Sequence, residues 1–367
     1  MSSDCTPTSK PPLDLDWLKA LDLNFPADAT ELAIPGVEEA TVLMRERRFD
    51  LYGVVAEVGA SFLRHFGEAE RPRLLRVQDA LALSFARMAS RHGSWGNDLH
   101  HYHNEGHALE LLNGRLARIR QQFGWEALSA ERWILMALFA TCHDLRQREK
   151  VDYLRGVGAN ERASIAEAFR ILDTCGFDRE SESNLYESLG WMIAGSTFDA
   201  RPVTSGPFNT AEDASSGGCL APKLVIKIRD EIGEAADQPK YQERFELMLL
   251  SADLDTANVG EPFLSLVGSA VRLALEREMR SGRDVASGES AQPVYEFLTQ
   301  GQEHYFNNLH RFVSDMGSKV FGPGKDANRE RVHAQGERMR ERYADRLDQM
   351  SGQNLIDAYV ESAAELA

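Results

Sequence analysis

Long apolar runs are missing from this 367-residue chain. None approaches the roughly 18 consecutive apolar residues of a membrane-spanning helix, so the expected protein is not an integral membrane one. Cysteine is scarce as well. Cys5, Cys142, Cys175 and Cys219 lie far apart with no C-x-x-C pair, which fits scattered thiols in a reducing compartment better than a disulfide frame or a thiolate zinc site. Any metal must be held by histidine and carboxylate. Positive charge is in deficit too, at a formal net charge of -16, which repels a phosphate backbone. The Arg-rich "NRERVHAQGERMRERYADR" is interleaved with acids, so nucleic acid is not an expected partner. The N-terminus lacks the basic start and apolar stretch of a secretory signal. Residues 1–15 read as a disordered lead-in to a cytoplasmic protein. Strand-like alternation with hairpin turns is also absent.

What remains is helical periodicity. Apolar residues recur at three and four in "LYGVVAEVGASFLRHF" (51–66), "RLLRVQDALALSFARMA" (73–89), "HALELLNGRLARIRQQF" (107–123) and "ERWILMALFATCHDL" (131–145). The same spacing runs through 160–177, 183–197, 241–260, 263–282 and 294–317, with a polar helix expected over about 328–350. The expected fold class is therefore all-α. The segments 201–222 and 281–293, rich in Gly, Ser and Pro, read as surface loops. The division expected is a helical cap over 16–85, a main helical domain over 86–320 and a C-terminal polar helical extension over 321–367.

Three places carry candidate chemistry. "HHYHNEGH" (100–107) holds four of the ten histidines, and on a helix His103 and His107 would share a face one turn apart. His143 and Asp144 end the very apolar "WILMALFATC", where a buried imidazole and carboxylate need a cation or hydrogen bonds to receive them. Asp253 ends another apolar run, with Asp255 two residues on. Two histidines and two aspartates suit zinc, manganese, iron or magnesium, and a second divalent ion can share a bridging Asp144. Each also has a plain reading: solvated histidines at a helix start, a chance His-Asp pair, a capping aspartate.

The order His107, His143-Asp144, Asp253 resembles the H…HD…D pattern of the HD superfamily of metal-dependent phosphohydrolases. "YHNEGHALELL" followed by "ALFATCHDL" is similar to the class I cyclic-nucleotide phosphodiesterases and their shorter bacterial relatives, over about residues 98–265. The resemblance implies an HD-type helical bundle that cleaves a phosphoester with metal-activated water. It makes His107, His143, Asp144 and Asp253 ligands of a pair of divalent ions, His103 the general acid for the leaving oxygen, and Glu161 of "NERAS" an acid on the metal-water network. Tyr102 and Asn104 flank that acid. Gln302, with Tyr305 and Phe306, stands where the family reads the base. One departure bears on substrate: Ala163 and Ser164 stand where the phosphodiesterases carry a paired histidine.

A 3',5'-cyclic nucleotide is the first expected substrate. A nucleotide or alarmone hydrolysed at the same metal site is the alternative, and a non-catalytic nucleotide sensor is the third reading. The expected partners are a small-molecule phosphoester or nucleotide and, as a homodimer, a second copy of the chain. His100 and His101 are expected to be solvent-exposed, Arg146 and Arg148 to form a solvated helix end, and Cys142 to be buried and inert.

Overall fold

The computed structural model describes residues 21–46, 51–199 and 218–367, and nearly all the stretches with three-and-four apolar spacing fold as helices, so the all-α expectation is met. The lead-in at 1–15 and positions 201–217 of the expected loop lie outside the described residues. Contacts divide the chain into two compact units, each assembled from separated segments.

The first unit comprises the described residues up to Arg91, then Phe123–Thr197 and Cys219–Ala252. Its longest helix, Arg71–Arg91, buries Leu74, Val77, Leu81, Phe85 and Met88, and packs on Leu51–Phe66, Ala130–Cys142 and Ala159–Thr174. Ala130–Cys142 starts at Ser129, whose hydroxyl accepts from the Arg132 amide, and is buried on every side from Trp133 to Cys142. Its lack of a polar face follows from that burial. After it comes a two-residue hairpin, Tyr153–Leu154 with Val157–Gly158, turning on Arg155 (φ 56) and Gly156 (φ 90). Positive φ at both central positions matches the right-handed strand twist. No sequence pattern announced this hairpin, and the helix Ala221–Ile232 also lies beyond those expected.

The second unit comprises His92–Gln122, the described ends of Phe198–Gly218, and Asp253–Ala367. Its core joins Phe263–Arg280, Asp315–Tyr343 and Gly352–Ala364 through Phe263, Leu266, Leu298, Phe306, Met339, Leu355 and Ile356. The polar helix expected over 328–350 begins far earlier, at Asp315, with Ser314 as its cap. The helix expected over 294–317 stops at Leu309, because the amides of Val313 and Ser314 donate to the Asp253 carboxylate rather than to a helical ladder. Pro323 sits inside Asp315–Tyr343 without breaking it. The Lys319 carbonyl that a proline at that position leaves without its helical donor receives the Gln122 amide at 3.3 Å.

Candidate functional site

In the first unit, His143 follows the last residue of the buried Ala130–Cys142 helix. Its Nδ1 lies 3.1 Å from the Phe139 carbonyl, and its Nε2 lies 3.1 Å from Asp144 Oδ2. A carbonyl only accepts, so Nδ1 carries a proton, and Nε2 is the nitrogen turned to the carboxylate. The other oxygen, Asp144 Oδ1, accepts from Gln147 Nε2 at 2.6 Å, and Gln147 Oε1 accepts in turn from Asn160 at 3.2 Å. Asn160 also receives the Glu149 amide. A relay of two amides thus fixes the carboxylate. Neither Gln147 nor Asn160 was singled out from the sequence, although Asn160 immediately precedes Glu161. Glu161 lies in the first turn of Ala159–Thr174, its carboxylate folded over Gly158, where a Cβ would collide with it.

Arg146 is not part of a solvated helix end. It is largely buried and meets Glu31, Asp28 and Glu149, while Arg148 is exposed as expected. The ion pairs continue through Arg87, Arg91 and Glu167 beneath the site. Burial raises the Asp28 carboxyl, but the hydrogen bond and charge of Arg91 outweigh it and hold Asp28 down at about 2. Cys142 is buried beside Ser84, and burial pushes its thiol up to about 11, so it is inert as expected.

In the second unit, the helix bearing His107 starts at Glu105, with Asn104 as its cap. Asn104 accepts from the Gly106 amide and donates to the His100 carbonyl, so both ends of its amide serve the local turn. His103 therefore precedes the helix instead of sharing its face, yet its ring centroid still lies 6.3 Å from that of His107. Tyr102 is buried with its ring 4.6 Å from His107. His107 Nε2 lies 3.0 Å from Asp255 Oδ1. Arg115, from the π-type turn Glu110–Arg115, holds that aspartate's segment by donating to the Leu254 and Asp255 carbonyls and pairing with Glu261. Asp253 is engaged differently. One of its oxygens accepts from the Val313 amide, the other from the Ser314 amide and hydroxyl, and burial pushes its carboxyl up to about 6 against those donors.

His103 is 27% exposed and its Nδ1 lies 2.6 Å from Glu276 Oε1, while Glu276 Oε2 accepts the amides of Tyr102 and His103. Burial works to raise the Glu276 carboxyl, but the charge and hydrogen bonds of His103, with the His100 ring alongside, hold it far below the usual carboxylate range. Sequence reading missed Glu276. The only signal was an acid interrupting the apolar spacing of "LALEREM". It also misplaced His100, which is 0% exposed, whereas His101 is half-buried. Gln302 and Tyr305 are half-buried, with the Tyr305 ring tilted against Phe198 and edge-on to His310, and Phe306 belongs to the core.

Groups of histidine and aspartate suited to a metal ion therefore occur in this chain, and among the described residues no helix is long and apolar enough to cross a membrane. No protein-family model matches the chain, and no curated protein matches it.

Proposed function

We propose that this chain is a metal-dependent phosphohydrolase, with His143 and Asp144 as metal ligands and a 3',5'-cyclic-nucleotide phosphodiester as first substrate. One observation carries the reading. His143, with Nδ1 on the Phe139 carbonyl, turns Nε2 to a carboxylate oxygen 3.1 Å away, so a buried imidazole and a buried carboxylate converge on one point as metal ligands do. A cation shared between them offsets the cost of burying that carboxylate. Within the second unit we assign Asp255 in preference to Asp253 as the aspartate that acts with His107, since Asp255 faces His107 while both Asp253 oxygens are taken by backbone donors. A divalent ion so held supplies an activated water and offsets phosphoryl charge.

The chain's own residues supply the rest. Glu276 engages His103 through Nδ1 and keeps a negative charge beside it, leaving Nε2 as the nitrogen that passes a proton to the departing oxygen. The Gln147–Asn160 relay orients Asp144 and stops it from rotating away from His143.

A nucleotide or alarmone substrate is the second reading, and a specific observation favours it. Ala163 and Ser164 are fully buried, and the Ser164 hydroxyl accepts the Arg146 amide at 3.1 Å, so the position offers no imidazole to a phosphodiesterase-type water network.

The test is metal content and hydrolysis of a panel of cyclic AMP, cyclic GMP, nucleoside mono- and triphosphates and a chromogenic phosphodiester with Mn2+ or Mg2+. The native protein is expected to turn over at least one, and Asp144→Ala to lose at least about 100-fold, the scale on which metal-site losses act. No turnover of any ester by the native protein sinks the proposal.

A further inference from the structure

A second group of metal-ligand type sits in the loop that follows the Arg71–Arg91 helix. His92, Asp98 and His100 place one ligand atom each within 4.8 Å of one another. The loop closes on itself where the His100 amide donates to the His92 carbonyl at 2.8 Å, and Gly96 donates to Gly93 at 3.1 Å, so both histidines are fixed by backbone before their side chains act. Their ring centroids are 4.3 Å apart and inclined by 45°, which is not a stacked pair.

The distances decide between a hydrogen-bonded cluster and a coordination shell. Asp98 Oδ2 lies 3.7 Å from His92 Nδ1 and 3.4 Å from His100 Nε2. Both are long for a charged hydrogen bond, which closes to about 2.8 Å. Both are close to the edge of a tetrahedron built on metal bonds of about 2.05 Å, which is about 3.3 Å. The donor set points the same way, since two imidazole nitrogens and one carboxylate oxygen suit zinc and disfavour magnesium and calcium.

His100 supplies an independent observation. It is fully buried, and neither of its ring nitrogens makes a well-formed hydrogen bond among the described residues. Leaving an imidazole so placed costs on the order of 1–3 kcal/mol. Its Nδ1 instead faces Glu276 Oε1 at 3.3 Å while Nε2 faces Asp98. A buried carboxylate behind one nitrogen and a ligand position before the other is the arrangement by which proteins orient a metal-bound histidine.

We propose that His92 Nδ1, Asp98 Oδ2 and His100 Nε2 form a zinc-type site of their own, separate from the His143–Asp144 site, with Glu276 orienting His100. Asp98 is the half-exposed member and leaves the side from which water completes the coordination. Because Glu276 also holds His103, an ion at this site fixes the carboxylate on which that histidine turns.

The experiment measures zinc per chain after dialysis against a weak chelator, for the native protein, a His92→Gln/Asp98→Asn variant and a His143→Ala/Asp144→Ala variant. The expected result is that His92→Gln/Asp98→Asn lowers zinc by about one equivalent, and that His143→Ala/Asp144→Ala still retains about one. Cobalt(II) added to the His143→Ala/Asp144→Ala protein is expected to give the intense visible bands of a tetrahedral site, a readout that does not depend on the first variant folding. Absence of both zinc and those bands from a folded His143→Ala/Asp144→Ala protein overturns the proposal, as does an unchanged zinc content on loss of His92 and Asp98. Failure of the phosphohydrolase reading alone leaves both expected results in place.

Discussion

Glu276 holds three donors with two oxygens: the amides of Tyr102 and His103 and the ring of His103, with His100 alongside. A neutral glutamine there keeps much of the shape but loses the charge that stabilises an imidazolium at His103. Glu276→Gln should therefore lower turnover at least about 10-fold for esters with poor leaving groups and much less for an activated chromogenic ester, because only the former need a proton from His103. Glu276→Asp should recover part of the loss. A structural role alone would depress both ester classes equally, and an equal loss would remove His103 from the acid position.

At the scale of elements, helix existence was legible and helix boundaries were not. The apolar spacing marked Arg71–Arg91 and Ala130–Cys142 because their buried positions are contiguous in sequence. The ends of 294–317 and 328–350 were displaced because Asp253, about sixty positions away, takes the amides that would have continued one helix, and no local signal encodes a long-range cap. His107, His143 and Asp144 stood out as candidates for the same local reason: each sits near a helix end in an apolar context. Glu276, Gln147 and Asn160 could not, since acids and amides on amphipathic helices are ordinarily solvated. A close crossing in the second unit shows how tightly such distant partners can be specified. A Cβ on Gly324 would meet the Gly260 carbonyl, whereas one on Gly322, in the same helix, meets nothing within 4 Å. Alanine raises helix propensity by about 1 kcal/mol at either position. Gly322→Ala should thus stabilise by up to about 1 kcal/mol, and Gly324→Ala should destabilise by about 1–3 kcal/mol as two backbones are forced apart. Urea denaturation of the pair checks this, and equal effects from the two would show that the crossing is loose.

For the molecule as a whole, a net charge of -16 at pH 7 means that mild acidification relieves self-repulsion, which by itself favours the compact state. His310 opposes that trend. It is buried among Tyr305 and Phe312, near the Thr256 backbone, and Lys325 donates to its carbonyl at 2.7 Å. Burial, reinforced by the Lys325 charge, holds its imidazole down at about 3, against 6.5 for the free side chain. Between those two values the unfolded chain binds a proton at this position that the folded chain refuses, so stability falls as pH falls through 6.5 and continues to fall toward 3. From pH 7.5 to 5.5 this single group removes about 1.4 kcal/mol. His310→Phe keeps a ring in the same apolar surroundings and cannot take up the proton. Urea unfolding at the two pH values should therefore show the native protein losing about 1.4 kcal/mol more than the His310→Phe variant. Parallel losses in the two proteins would mean that His310 is protonated in the folded chain and that Lys325 and the neighbouring rings do not exclude its charge.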